Sequence, residues 1–588
     1  ATMTQTEILW RELESLVDGS SSSVSLQHYI NGKFHSAAEQ VVEDRAPATG
    51  SVIATLPAGG AADVNTAVDA ASVAFKTEWI KWTAERRAVL LEDIARMITE
   101  RSDLLAKLES LDCGKPIRLA RNMDIARAAE NFKFFSGAIR HSRTDCHQFT
   151  NGDALNYTLR QPVGVVSLIT PWNLPLYLLT WKVGYRILVN LNPPLIMMVA
   201  RSRSNEEQVA PALAAGNTFV AKPSDLTPIT AFCLSLILHE AGVPPGVANF
   251  VYGMGPVVGG RLVEHPDVSA VSFTGGTETG RRVASVAAPL FKKLSLELGG
   301  KNASVVFADA DLDQCLPTIA RAAFLNQGEI CLCGSRILAH RSVYDRVVEH
   351  VVQYAKTLQC DDPALPTTNF GALISSDHRD KVARYVALAR EQGGEVVAGG
   401  SIPAMAPPFD QGYFFEPTVI TGLSSSARCA QEEVFGPLVT IHPFDTDEQA
   451  VEMHNSVPYG LALSLWTRDV SRAHIAARTM EAGIVQVRVM SCNILLGVGE
   501  LLATARPSHP VWRDEAKWRR TRRWRLLTRV LLGSEERLHQ VGLITLAFVV
   551  NPSVVRHGLR LLLFASTMYL SRWSQSCGYH HPLHPTCP

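Results

Sequence analysis

From residue 163 onward, short apolar runs alternate with longer stretches whose apolar residues recur at helical spacing. The pattern predicts strands over 163–169, 218–222, 247–252 and 270–273, and a helix over 230–241. Parallel strands cannot be joined by a tight turn; each pair needs a crossover of a dozen or more residues, usually a helix. The rhythm therefore restricts the chain to an α/β fold on a largely parallel sheet. A second α/β unit begins near Ser304, with helices predicted over 310–325, 343–358, 377–392 and 447–455 and strands near 394–398, 418–421 and 438–444. Open sheets of this kind bind ligands outside the carboxyl ends of their strands, so residues just past each strand are the first functional candidates.

Three stretches carry the parts that acyl chemistry on a carbonyl requires. Asn326-Gln327-Gly328-Glu329-Ile330-Cys331-Leu332-Cys333 sets a cysteine after a glycine turn, among small and polar residues, a setting that suits a thiolate nucleophile. Leu294-Ser295-Leu296-Glu297-Leu298-Gly299-Gly300-Lys301-Asn302 places one carboxylate in an apolar strand-like run. Glu297 is expected to be desolvated there, which suits a general base. Pro171-Trp172-Asn173-Leu174-Pro175 directly follows the strand 163–169 and puts an amide donor at its end. Singly, these read as a small core cysteine, a satisfied carboxylate and a turn. Cys331-x-Cys333 has neither a second pair nor a suitably spaced histidine, so no metal site is expected. Asn302-Ala303-Ser304 matches a glycosylation acceptor, which carries little weight without a secretory signal.

Together, and in this order, the three stretches resemble the aldehyde dehydrogenase superfamily over roughly residues 28–487. Ala221-Lys222-Pro223-Ser224, Phe273-Thr274-Gly275 and Glu432-Glu433-Val434-Phe435-Gly436-Pro437 extend the resemblance. It implies an α/β fold with a Rossmann-like NAD-binding domain over 28–144 and 162–295, an oligomerisation hairpin over 145–161 and a catalytic domain over 296–487. It also implies NAD-dependent oxidation of an aldehyde to its acid, with Cys331 as nucleophile, Glu297 as water-activating base and Asn173 as oxyanion donor. The cofactor residues it implies are Trp172, Lys222, Ser224, Asp225, Gly275, Gly276, Glu433 and Phe435. The family usually has Glu where Asp225 stands; an acid there favours NAD over NADP by repelling a 2′-phosphate. Residues 174–182 and 328–333 look most like the muconic semialdehyde branch, which acts in tryptophan–kynurenine and aromatic-ring catabolism. Its substrates carry a carboxylate far from the aldehyde, and Arg127 is the candidate cation for it.

Two segments depart from the family. Residues 183–208 interrupt a helix, where insertions are seldom tolerated, and read as retained intron sequence or a gene-model artefact. Residues 488–588 replace the family's last loop and interface strand with an Arg/Trp cluster at 518–525 and broken apolar runs, read here as read-through into shifted sequence. Catalysis or oligomerisation impaired by these departures is the alternative reading; a membrane or nucleic-acid role for the Arg/Trp tail is another. The apolar runs are too short or too closely flanked by arginine to span a bilayer. With 56 Lys+Arg against 56 Asp+Glu, no overall basic field calls for nucleic acid. Eleven scattered cysteines fit reduced thiols, and no signal segment is visible, so a cytoplasmic enzyme is expected. Residues 1–27, with the run Ser20-Ser21-Ser22-Ser23, read as a flexible tail.

Overall fold

A computed structural model describes residues 3–36, 40–148, 154–181 and 209–488. The segment 183–208 and all but the first residue of the segment 488–588 lie outside the described residues.

Two seven-stranded sheets organise the described chain. The first runs Lys293–Glu297, Val268–Thr274, Val165–Ile169, Thr218–Lys222, Ala248–Phe250, His28–Ile30, Lys33–His35. Its first five strands are parallel, and the His28–His35 hairpin closes one edge antiparallel. Asn31 and Gly32 both have positive φ at that hairpin, the conformation an Asn-Gly turn supplies. The second sheet runs Glu395–Ala398, Thr418–Thr421, Leu438–Phe444, Arg336–His340, Ala303–Val306, Ala462–Trp466, Ile484–Arg488 and is parallel except at its first pair. Central strands such as Val165–Ile169 and Thr218–Lys222 are buried at every position, as expected of a sheet covered on both faces.

The reading of residues 1–27 as a flexible tail is corrected. Gln5–Asp18 is a helix, opened by a reciprocal capping box between Thr4 and Glu7 and closed by Gly19 at φ 78°. Leu9, Trp10, Leu13 and Leu16 recur at helical spacing and are buried. Trp10 donates its indole N–H to Glu240 at 2.7 Å. The serine run concealed this helix by composition, although the apolar period was present. The segment 145–161 contains the expected hairpin: Cys146–Gln148 pairs antiparallel with Leu155–Tyr157, and every residue in both strands is exposed. Among the described residues no helix is long and apolar enough to cross a membrane.

Candidate active site

The register of the first sheet brings the candidate loops to one edge. Ile169 pairs with both Lys222 and Phe273, and Thr274 pairs with Glu297. The Pro171–Pro175 turn, the Lys222–Asp225 turn, Gly275 and Glu297 therefore all sit at the carboxyl ends of neighbouring parallel strands. The second sheet presents amino ends: Cys331 shortly precedes the strand Arg336–His340, and Glu433 and Phe435 precede Leu438–Phe444. Gly299 and Gly300 carry the chain from one sheet to the other.

These two edges meet through backbone. A Cβ added to Gly300 would lie 2.8 Å from the Cys331 carbonyl oxygen, and one on Gly299 would lie 2.1 Å from the Glu433 carboxylate. Only glycine permits that approach. Glu433 accepts the Gly300 N–H at 2.8 Å. Gly328, at φ 74°, packs so closely on Gly436 that a Cβ would stand 2.2 Å from its carbonyl oxygen.

Asn173 is buried and pinned at both ends. Its Nδ2 donates to the Glu329 carbonyl at 2.8 Å, two residues before Cys331. Its own carbonyl accepts from Lys115 Nζ at 3.0 Å and from Asn326 Nδ2 at 3.2 Å. Asn302 fixes the loop from the other side, donating to the Cys331 carbonyl at 2.6 Å and the Cys333 carbonyl at 3.0 Å. A buried side chain so engaged cannot serve as a glycan acceptor, so the glycosylation motif is a coincidence of sequence. Cys331 is half-buried and in no disulfide, whereas Cys333 is buried and its thiol faces the Leu325 carbonyl at 3.6 Å.

Glu297 is only half-buried, contrary to the expected desolvation. It ends an edge strand, covered by a neighbour on one side alone. The desolvated acids of this region are Glu433 and, most deeply buried, Glu329. Burial holds its carboxyl well above the usual range, opposed by the Ile374 N–H that it accepts and by the Lys115 charge. His378 lies 3.7 Å from Glu329 and donates from Nε2 to the Phe435 carbonyl at 2.6 Å. Burial pushes His378 down to about 4, so the ring is neutral at pH 7 and its Nε2 carries the proton. Trp172 meets the rings of His378 and Phe435 edge-on at 5.2 and 5.3 Å. His378 carried no signal in the sequence, and Glu329 only its place two residues before the cysteine.

Lys222 and Asp225 form an ion pair at 2.8 Å, with Lys222 buried and Asp225 partly open. Ser224 caps the same turn by accepting the Leu226 N–H at 3.1 Å. Gly275 donates to the Glu297 carbonyl at 3.1 Å, and Gly276 opens the helix Thr277–Ala287 with free space where a Cβ would stand. An open helix start after a strand, with Lys222–Asp225 two strands away, is a cradle of the kind a dinucleotide pyrophosphate and ribose fit. Arg127 stands apart. It lies on the helix Ala126–Arg140, with its guanidinium 4.4 Å from the Trp181 ring centroid and 6.0 Å from that of Tyr177. No bond among the described residues ties it to Cys331, Glu297 or Asn173. No group of three or more metal-ligating side chains occurs among the described residues.

A paired α/β architecture with a thiol, an acid and an amide at its junction defines a class, and sequence comparison identifies it. The aldehyde dehydrogenase family profile matches residues 34–190 and 192–494, and the chain belongs to that family. It is 44% identical over 462 residues to the 2-aminomuconic semialdehyde dehydrogenase of Danio rerio, covering 78% of this chain and 89% of the relative. It is 43% identical over 467 residues to the 2-hydroxymuconic semialdehyde dehydrogenase of Pseudomonas sp. (strain CF600), covering 79% and 91%. Among solved structures it is similar to the NAD+ complex of an aldehyde dehydrogenase from Bacillus cereus, at 33% identity and a TM-score of 0.72, covering 81% of this chain and 90% of that one.

Proposed function

We propose that this chain oxidises an aldehyde bearing a distant carboxylate, of the muconic semialdehyde type, to the corresponding acid with NAD. The observation that carries the reading is the junction itself: Asn173 Nδ2 bonded to the Glu329 carbonyl while Gly300 packs against the Cys331 carbonyl. These contacts draw the Asn173 turn and the end of the Glu297 strand to the loop that bears the thiol.

Cys331 attacks the aldehyde carbon. Asn173 Nδ2 and the Cys331 backbone N–H stabilise the oxyanion of the thiohemiacetal, each donor contributing about 3 kcal/mol in such sites. NAD, when bound, supplies the hydride acceptor. Water deprotonated by Glu297 then hydrolyses the thioester on Cys331, and the carboxylic acid leaves. Trp172, Phe435 and Glu433 line the nicotinamide end of the cleft; Gly275 shapes the strand-to-helix turn, its N–H on the Glu297 carbonyl, and Gly276 offers its backbone N–H to the pyrophosphate. Lys222, Ser224 and Asp225 take the adenosine ribose. Asp225, with the acidic Asp44 near enough to feel its charge, favours free ribose hydroxyls over a 2′-phosphate. Arg127 takes the substrate carboxylate. The aromatic faces beneath it orient the guanidinium and leave its N–H groups for a ligand; its Nε makes no hydrogen bond among the described residues.

The exposed Leu155, Tyr157 and Leu159 support the hairpin as a subunit contact. The alternative, a homologue with impaired catalysis, is weighed by the same assay. Cys331→Ala should abolish NADH formation, by on the order of a thousandfold or more, while leaving NAD binding intact. NADH formation by the variant at near the parent rate overturns the mechanism. A parent chain that binds NAD but forms no NADH on any carboxylated aldehyde selects the impaired reading.

A further inference from the structure

The helix Ser102–Cys113 ends at Gly114, whose φ of 72° turns the chain sharply inward. That turn is packed without slack. A Cβ on Gly114 would lie 2.9 Å from Pro47 and 3.0 Å from the Ala372 carbonyl, and the Ala372 N–H bonds to the Gly114 carbonyl at 3.0 Å. Ser110 Oγ donates to the Lys115 carbonyl at 2.6 Å. The next side chain, Lys115, is thereby driven into the interior, where both it and Asp124 are 0% exposed. Its ammonium has two partners: Asp124 Oδ1 at 3.2 Å and the Asn173 carbonyl at 3.0 Å.

A fully buried ion pair is weak evidence for stability, because its attraction is largely offset by desolvation. Its placement therefore calls for another account. Burial alone would favour the neutral amine, but the charge and hydrogen bond of Asp124, with Glu109 behind it, outweigh burial and keep Lys115 charged. The charge ends on the backbone of the residue whose amide points to the thiol loop. Glu109 holds the same stretch three residues further on, accepting the Leu176 N–H at 3.4 Å.

We propose that Lys115, braced by Asp124, is a positioning residue for catalysis: it fixes the Asn173 carbonyl so that the Asn173 amide is held at the oxyanion site before substrate arrives. This rests on the reading of Asn173 as the oxyanion donor. Lys115 does not touch the thiol. The Cys331 carbonyl itself is held by Asn302, which Lys115 does not bond. Loss of Lys115 should therefore misplace the oxyanion donor and leave the reactivity of the thiol itself alone.

Two reactions of Cys331 separate these effects in the full-length chain. Acylation by p-nitrophenyl acetate passes through a tetrahedral oxyanion, with the Cys331 sulfur bonding to the acetyl carbon as nitrophenolate leaves. Alkylation by iodoacetamide displaces iodide and forms no oxyanion. Lys115→Met should slow the nitrophenolate burst about tenfold or more, the scale of a small misplacement of a reacting group. It should leave the alkylation rate and the NAD affinity within about twofold of the parent, the spread of an undisturbed site. Because Lys115→Met strands Asp124, the double variant Lys115→Met/Asp124→Asn removes both charges together and should show the same split if the single variant fails to fold. Equal loss of both reactions would mark a merely structural lysine, and unchanged acylation would remove the role altogether; either overturns the proposal. Asn173→Ala, measured alongside, isolates the parent reading: acylation unaffected by that change, or absent from the parent chain, sinks the oxyanion assignment itself.

Discussion

Asn173 leads into the short helix Pro175–Thr180, and Arg127 rests against its far end, yet the two are held in opposite ways. Asn173 is buried, with its amide on the Glu329 carbonyl and its carbonyl under Lys115 and Asn326. Three bonds of about 1 kcal/mol each, made where water cannot compete, leave it one position. Arg127 lies over the faces of Trp181 and Tyr177. Cation–π contacts are worth about 0.5–2 kcal/mol and tolerate sliding. On the proposed function, the chemical end of the site is thus over-determined, while the end assigned to substrate choice is set on a surface that can adjust. Fixed donors serve the transition state, and an adjustable cation can meet carboxylates at more than one distance.

The comparison is broken most severely at its rigid end. Asn173→Ala should lower the rate of NADH formation by about a hundredfold or more, the scale for one oxyanion donor, with aldehyde KM little changed. A loss confined to KM would move Asn173 from chemistry to binding. At the adjustable end, Arg127→Ala should cost about tenfold in kcat/KM for a carboxylated aldehyde and leave a plain aliphatic aldehyde within about twofold, since one charge-assisted contact is at stake. An equal loss for both substrates contradicts a carboxylate-binding role.

Beneath both ends lies a set of buried acids whose effect is smaller and depends on pH. Burial raises Asp44 to about 7, and Glu109 is likewise raised to about 7 by burial and by Asp124. Asp112, buried and facing Asp44, is held well above its ordinary value. Two buried carboxyls that face each other this closely are accommodated when at least one keeps its proton. A folded-state value raised above the unfolded one means that the folded chain binds more protons in the interval. The associated stability is complete below the unfolded value and fades as pH rises through about 7. Asp44→Asn, which cannot ionise, should therefore gain on the parent in Tm by about 2 °C or more between about pH 5 and pH 8. A difference that stays flat across that range would show that Asp44 does not titrate there.

The same contrast explains what could be read in the sequence. The strand-end and turn positions of Cys331, Glu297 and Asn173 were legible because such turns leave local signatures such as Gly299-Gly300. The parallel order of the sheets followed from the alternation of strands and helices. Lys115 directly follows the Gly114 helix stop, but its bond to Asn173 spans a fold that no local pattern encodes. The pairing of Glu329 with His378 was hidden for the same reason. The glycosylation triplet at Asn302, already of little weight, shows the limit of a local motif: three residues carry no information on burial. The desolvated acid was placed at Glu297 instead of Glu329, since an apolar run does not reveal that its strand lies at a sheet edge.

The central claim is that one thiol carries the acyl group and one acid releases it. Glu297→Gln, mixed with NAD and a carboxylated aldehyde, quenched in acid and digested, should yield an acylated peptide containing Cys331 after a single burst of NADH. An unmodified Cys331 peptide after that burst, or acylation found on Cys333 instead, would contradict the account.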